Sequence, residues 1–189
     1  MSGDGIDAVD DAILIRRTLS GETEAFSQLV DRYRPSVFAF AASRGLPPSD
    51  ADDAAQDAFI RAFRHLGTLK SYDRFSAWLL QIAAHACNDV DARRKRSNRN
   101  ETPASEPLET AVARDVPPLD AISASDAASG IADALQRLDD DHRAVLIMRF
   151  IEGKNATQIA RANGESPGTV RSRIHYALEK LRRLLDNDR

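Results

Sequence analysis

The chain has 189 residues, enough for one or two domains, and its 26 basic and 29 acidic side chains give a formal net charge of −3. Aromatic residues make up only 6% and β-branched alternation is rare, which points to an all-α fold, and no run of about 18 apolar residues could span a membrane. A single cysteine, Cys87, excludes an intramolecular disulfide framework and fits a reducing, cytoplasmic setting.

The Met1–Asp11 start is acidic, unlike a signal or transit peptide. Helical periodicity then runs from residue 11 to residue 96, with breaks at "GLPPSD" (45–50) and near "GTLKSYD" (67–73). In "SDADDAAQDAFIRAFRHL" (49–66), Ser49 can cap and Asp50, Asp52 and Asp53 suit the positive end of the helix dipole. Ala51, Ala55, Phe59, Ala62, Phe63 and Leu66 form the buried stripe. Asp53, Gln56, Asp57, Ile60 and Arg64 line up outside, either as a face for a partner or as an ordinary surface.

The next helix, from Phe75, places Phe75, Trp78, Leu79, Ile82 and Ala83 at core spacing, so Trp78 reads as packing and Cys87 as a small buried hydrophobe. It ends in "ARRKR" (92–96), four consecutive cations that either meet a phosphate backbone or solubilise the boundary. Residues 97–126 lose the periodicity and carry Pro103, Pro107, Pro117 and Pro118 with an acidic excess, the composition of a flexible linker. Charge is segregated accordingly. Residues 1–92 hold 9 basic and 14 acidic side chains, residues 93–99 hold five basic and none acidic, and residues 142–189 hold ten basic and five acidic. Two basic patches around an acidic segment suit two contacts with a polyanion.

Helical pattern resumes over 127–138, 140–152, 155–162 and 167–186. Gly164 in "NGES" (163–166) can end one helix in the left-handed conformation, while Ser166 caps the next and Pro167 fits its first position. A short helix, a glycine turn and a capped longer helix make a helix-turn-helix. The last helix buries Val170, Ile174, Ala177, Leu178, Leu181 and Leu185 and turns Thr169, Ser172, Tyr176 and Arg183 outward, flanked by Arg171 and Arg173. Such groups suit a DNA major groove, although the charge pattern alone equally fits a solvated basic face. The expected architecture is two small helical domains, 11–96 and 127–189, joined by a flexible linker at 97–126, with the helix-turn-helix in the second.

Taken together, these stretches resemble the extracytoplasmic-function (ECF) group of bacterial RNA polymerase sigma factors. In the first domain the resemblance rests on "DADDAAQDAF" (50–59), "FSAWLLQIA" (75–83) and "ARRKR" (92–96). In the second it rests on "LDDDHR" (138–143), "GKNATQIA" (153–160) and "NGESPGTVRSR" (163–173). It implies a promoter-directing factor with polymerase core and promoter DNA as partners, an anti-sigma protein as regulator, and no cofactor, metal, catalytic residue or membrane insertion. Asp53, Gln56, Asp57 and Ile60 would dock on the polymerase. A loop around His85, Asn88 and Asp89 would capture a flipped base of the −10 element, and Arg93, Arg94 and Arg96 would hold the upstream duplex. Ser166, Thr169, Arg171, Ser172, Arg173 and Tyr176 would read the −35 element, with Arg171 expected on a base and Arg173 on a phosphate.

The chain also departs from the family pattern. Ala84–His85 replace an arginine–asparagine pair, and Gln158 replaces a glutamate before Ile159–Ala160. Asn163 and Glu165 stand where the family packs aliphatic residues, so a loosened turn and weaker −35 binding are expected. The competing reading, a stand-alone regulator using only the terminal helix-turn-helix, leaves the 53–60 stripe and "RRKR" without a purpose. An enzyme finds no support, since the sequence has no phosphate loop, no metal constellation and no nucleophile–base pair at a known spacing. His65, His85, His142 and His175 are scattered.

Overall fold

A computed structural model describes residues 9–100 and 126–187, with side chains over 9–96 and 131–186. Most of the expected linker, residues 101–125, lies outside the described residues. The described chain is helical throughout, in eight α-helices: α1 (Asp11–Leu19), α2 (Thr23–Ala42), α3 (Pro48–His65), α4 (Phe75–Asn100), α5 (Asp126–Gln136), α6 (Asp140–Phe150), α7 (Ala156–Asn163) and α8 (Pro167–Asn187). Two single turns of 3-10 helix, Leu66–Thr68 and Tyr72–Arg74, bridge α3 and α4.

The N-terminal four helices close a core of their own. α2 supplies Phe26, Leu29, Tyr33, Val37 and Phe40 at three- and four-residue spacing, and α1 adds Leu14 and Ile15. The buried face of α3 is mostly alanine (Ala51, Ala54, Ala55, Ala58 and Ala62), so α2 and α4 can approach it closely. α4 contributes Phe75, Leu79, Leu80, Ala83, Ala86, Cys87 and Val90. Tyr33 meets Phe75 edge-on at 5.3 Å between ring centroids, and Phe75 meets Trp78 at 6.0 Å. Burial pushes the Cys87 thiol up to about 11, so it is neutral at physiological pH and behaves as a small hydrophobe.

Two local expectations are corrected. α3 starts at Pro48 with Pro47 at the cap position, so Ser49 lies inside the first turn and caps nothing. α4 also runs unbroken to Asn100, four residues past the expected domain boundary. No glycine or proline interrupts residues 75–100, and Ala83, Ala86, Cys87 and Val90 keep a helical stripe on the core.

In the C-terminal unit, Asp139 caps α6 by accepting the His142 N–H at 2.9 Å. Arg143 is 3% exposed and donates to the carbonyls of Leu135 (3.0 Å) and Leu138 (2.7 Å), tying the end of α5 to α6. Asn155 and Gln158 close a reciprocal capping box at the start of α7. Gln158 therefore serves as a cap partner where the resemblance leads one to expect a glutamate.

The two units pack on each other. Val145, Ile147, Met148, Ile159, Ala160 and Val170 belong to the same continuous apolar cluster as the N-terminal core. Among the described residues, a separate C-terminal cluster has Leu138, Leu146 and Ala177 as its buried members. Around this seam Arg44 reaches Asp140 at 2.6 Å, the Ser76 hydroxyl donates to Glu152 at 2.6 Å, and Arg161 pairs with Asp73 at 2.8 Å. The Arg143 guanidinium lies 5.6 Å over the Phe40 ring and Lys154 lies 5.5 Å over Tyr33.

Candidate functional site

The acidic stripe of α3 and the basic end of α4 form one groove. Asp53, Gln56, Asp57, Ile60 and Arg61 line it from α3, and Asp89, Arg93 and Arg96 line it from α4. Its volume is about 560 Å³. Ile60 is 49% exposed at its edge, an apolar side chain set among carboxylates. Arg61 joins the two walls, reaching Asp57 at 2.5 Å and Asp89 at 2.7 Å. Hydrogen bonds to those two carboxylates hold its guanidinium firmly protonated. Gln56 donates to Asp52 at 2.8 Å.

His85, Asn88 and Asp89 are not on a loop. All three are exposed residues in the middle of α4, roughly one above another at three- and four-residue spacing. Asn88 accepts from Arg44 at 2.6 Å, and Arg96 continues the same face. Arg94 falls about half a turn away and stays outside the groove, as a run of consecutive cations on a helix requires. The break near 67–73 is the connection between α3 and α4, residues 66–74. It borders a cleft of about 660 Å³ between the two units, where Lys70, Arg74 and Trp78 face Met148, Asn163 and Arg173. Trp78 both packs on Phe75 and lines this cleft.

The turn from α7 to α8 is closed by hydrogen bonds, contrary to the expected loosening. Gly164 takes φ +73°, and the Glu165 N–H donates back to the Ala160 carbonyl at 2.9 Å. A Cβ at Gly164 would meet only the movable guanidinium end of Arg74, so the positive φ is what calls for glycine there. Ser166 caps α8, accepting the Thr169 N–H at 3.1 Å, and its hydroxyl lies 2.8 Å from that of Thr169. Glu165 and Asn163 have found polar partners in place of apolar packing. The Glu165 carboxylate receives both Nη atoms of Arg173 at 2.7 Å, with the Asn163 amide at 3.5 Å.

On α8 the buried residues Val170 and Ala177 set the inner face, and Ser166, Thr169, Arg171, Ser172 and Tyr176 are exposed. Arg173 is set apart from them by its bond to Glu165 and its place on the cleft. The structure thus brings the 53–60 stripe together with Asp89, Arg93 and Arg96, and leaves the polar face of α8 open as a second surface. Half of the first juxtaposition had a sequence signal, the four-residue spacing of Asp57 and Arg61. The link to Asp89 had none. Among the described residues no helix is long and apolar enough to cross a membrane, and no group of three or more His, Cys, Asp or Glu could hold a metal ion.

Residues 29–99 match Sigma-70 region 2, and residues 134–183 match Sigma-70 region 4. The chain is 36% identical over 182 residues to RNA polymerase sigma factor NccH of Alcaligenes xylosoxydans xylosoxydans, spanning 95% of this chain and 96% of NccH. It is 33% identical over 176 residues to ECF RNA polymerase sigma factor SigM of Mycobacterium tuberculosis, spanning 93% of this chain and 84% of SigM. CnrH of Cupriavidus metallidurans, solved in complex with the cytosolic domain of CnrY, superposes at TM-score 0.62 with 30% identity, over 97% of this chain and 100% of CnrH. With both regions present in order, and near-full-length relatives that share the arrangement, the chain belongs to the ECF group of RNA polymerase sigma factors, which direct core polymerase to specific promoters.

Proposed function

We propose that the groove between α3 and α4 is where this sigma factor docks on core polymerase and begins its hold on promoter DNA. The observation that carries this reading is the shared groove itself, with an acidic and apolar wall beside a basic one. Asp53, Gln56, Asp57 and Ile60 supply a protein-binding wall, with one apolar anchor inside a polar surround. Arg93 and Arg96, with Arg94 on the adjoining face, supply phosphate contacts for the duplex entering at the −10 element. His85, Asn88 and Asp89, on the exposed face of α4 that Arg96 continues, meet the same element. The exposed hydroxyls, Arg171 and Tyr176 of α8 meet the −35 element, a helix entering the major groove by its N-terminal turns. The protein works in the cytoplasm, where polymerase and promoter are, and performs no chemistry of its own. CnrH, solved with the cytosolic domain of CnrY, supports the expectation that an anti-sigma partner also controls this chain.

The test is the double variant Asp53→Lys, Asp57→Lys. Pull-down with core polymerase should lose the complex while far-UV circular dichroism stays that of the wild type. Retained binding with retained helicity would refute the docking assignment. Asp57→Lys also removes one of the two carboxylate partners of Arg61, so Asp53→Lys alone is the cleaner second variant and should weaken binding in the same direction.

A further inference from the structure

Glu165 lies between the left-handed Gly164 and the cap residue Ser166, where the resemblance leads one to expect an aliphatic side chain. Its backbone is fixed by the N–H bond to Ala160, so its side chain leaves the turn from a set position. The carboxylate lies across α8 and takes both Nη groups of Arg173 at 2.7 Å. The two side chains are only 26% and 25% exposed. Forked guanidinium–carboxylate bonds are the stronger class of ion pair, and partial burial spares them much of the screening that empties exposed pairs.

We infer that Glu165 withholds Arg173 from the DNA backbone and so lowers the sequence-independent share of the grip of α8. The inference rests on the assignment of α8 to DNA. A cation already neutralised by a carboxylate displaces no counterion when a phosphate comes near, and so adds little to salt-dependent affinity. Lys180, Arg182 and Arg183 lie farther along the helix, in exposed pairs with Asp139, Asp186 and Glu179 that solvent screens. Among the described residues, Arg171 is the one lysine or arginine of α8 for which no ion pair is found. The DNA-facing turns of α8 then offer one free guanidinium beside the neutral donors and acceptors of Thr169, Ser172 and Tyr176. Neutral groups of that kind reward the right base edges and gain little from DNA in general. Glu165 thereby acts as a specificity-determining residue that itself touches no base.

The test uses the full chain and a fluorescein-labelled mixed-sequence 30-base-pair duplex, with anisotropy titrations from 50 to 200 mM KCl. Glu165→Gln keeps the side-chain shape and removes the charge. It should steepen the salt slope by about one phosphate contact, equivalent to roughly a threefold larger affinity loss across that salt range. Arg173→Ala in the wild-type background should leave the slope unchanged, and Glu165→Gln with Arg173→Ala should return it to the wild-type value. Glu165→Gln with Arg173→Lys should keep the added slope, since a freed lysine also meets a phosphate. If Arg173→Ala alone flattens the slope, Arg173 already holds DNA and the inference fails. A lower melting temperature for Glu165→Gln with an unchanged slope would make the pair a brace of the turn only, which also refutes it. Arg171→Ala is the control for the underlying assignment. It should weaken binding to a promoter duplex selected with core polymerase, to the mixed-sequence duplex, or to both, and unchanged binding to both would remove α8 from the DNA surface and the inference with it.

Discussion

The two helical units share a secondary-structure class and differ in what holds them. In the N-terminal unit, fully buried Leu14, Leu29, Phe40, Phe75 and Leu79 come from three helices that face one another, so the core closes on itself. In the C-terminal unit, Val145, Met148, Ile159 and Val170 are as deeply buried, but in a cluster continuous with the first unit. Its separate cluster has three buried members among the described residues. A unit of this size buries a smaller fraction of its surface than a larger domain does, and so gains from a neighbour. The same 3.6-residue stripe therefore means self-sufficiency in one half and dependence in the other.

The largest effect should come from a residue that serves both halves. Phe40 is 1% exposed in the first core, and its ring underlies Arg143 of the second unit. Phe40→Ala should cost about 3–5 kcal/mol and loosen both units together. Ile159→Ala should cost about 2–5 kcal/mol and act mainly on α6 to α8. Urea unfolding followed by far-UV circular dichroism and Trp78 fluorescence would tell them apart. If Ile159→Ala shifts the N-terminal transition as much as Phe40→Ala does, the asymmetry between the halves is wrong.

Arg143 should come next. It is buried, its guanidinium serves the carbonyls that end α5, and burial lowers its pKa despite Asp140 beside it. Arg143→Met removes those donors and strands the carbonyls, for an expected loss of about 2–4 kcal/mol. Arg143→Lys should recover little, because an ammonium cannot span the same fork. Full recovery by lysine in the same urea assay would reduce Arg143 to a simple charge.

What could be read in the sequence follows from the range of the interaction. The helices, the capping role of Ser166 and the left-handed Gly164 are set by residues within four positions of each other, and periodicity and turn chemistry expose them. The helical state of 85–89 is equally local, legible in the unbroken run from Phe75 to Asn100, whereas the expected loop there comes from resemblance. The pairs Arg44 with Asp140, Ser76 with Glu152, and Arg61 with Asp89 across the groove are of another kind. They join residues far apart in the chain, and nothing near either partner announces them. The Glu165–Arg173 pair spans eight residues across a turn, just beyond the spacing that a single-helix pattern reveals.

The contact between the halves can be tested directly, with a smaller effect. Arg44 pairs with Asp140 at 2.6 Å, but Asp140 is 41% exposed and also serves Arg143. A double-mutant cycle of Arg44→Ala and Asp140→Asn, read by urea unfolding, should give a coupling below about 1 kcal/mol. A coupling of zero would mean that this contact does not join the units in solution.

The smallest effect should appear only in acid, and in the C-terminal unit. Asp139 accepts the His142 N–H at 2.9 Å, lies 2.6 Å from His142 Nδ1 and meets Lys180 at 3.3 Å. Partial burial is the largest single influence and favours the neutral acid. The bonds from His142 and Lys180 together outweigh it and hold the carboxyl well below the usual carboxylate range. A carboxylate whose pKa is depressed by folding adds stability that is fully present above its unfolded value, about 3.9, and is lost as the pH falls from there through the folded value. Since Asp139 is 51% exposed, solvent screening should keep the contribution below about 1 kcal/mol. Asp139→Asn retains a capping oxygen without the charge, so the wild-type advantage over it should persist from neutral pH to about 4 and then close. Because Asp139 ties α6 to α8, the acid loss should appear first in the C-terminal transition, while the N-terminal core, held mainly by apolar burial, stays in place. An advantage that remains level down to about pH 3, below the unfolded value, would show that the cap works through its geometry alone, and acid would then not distinguish the two halves.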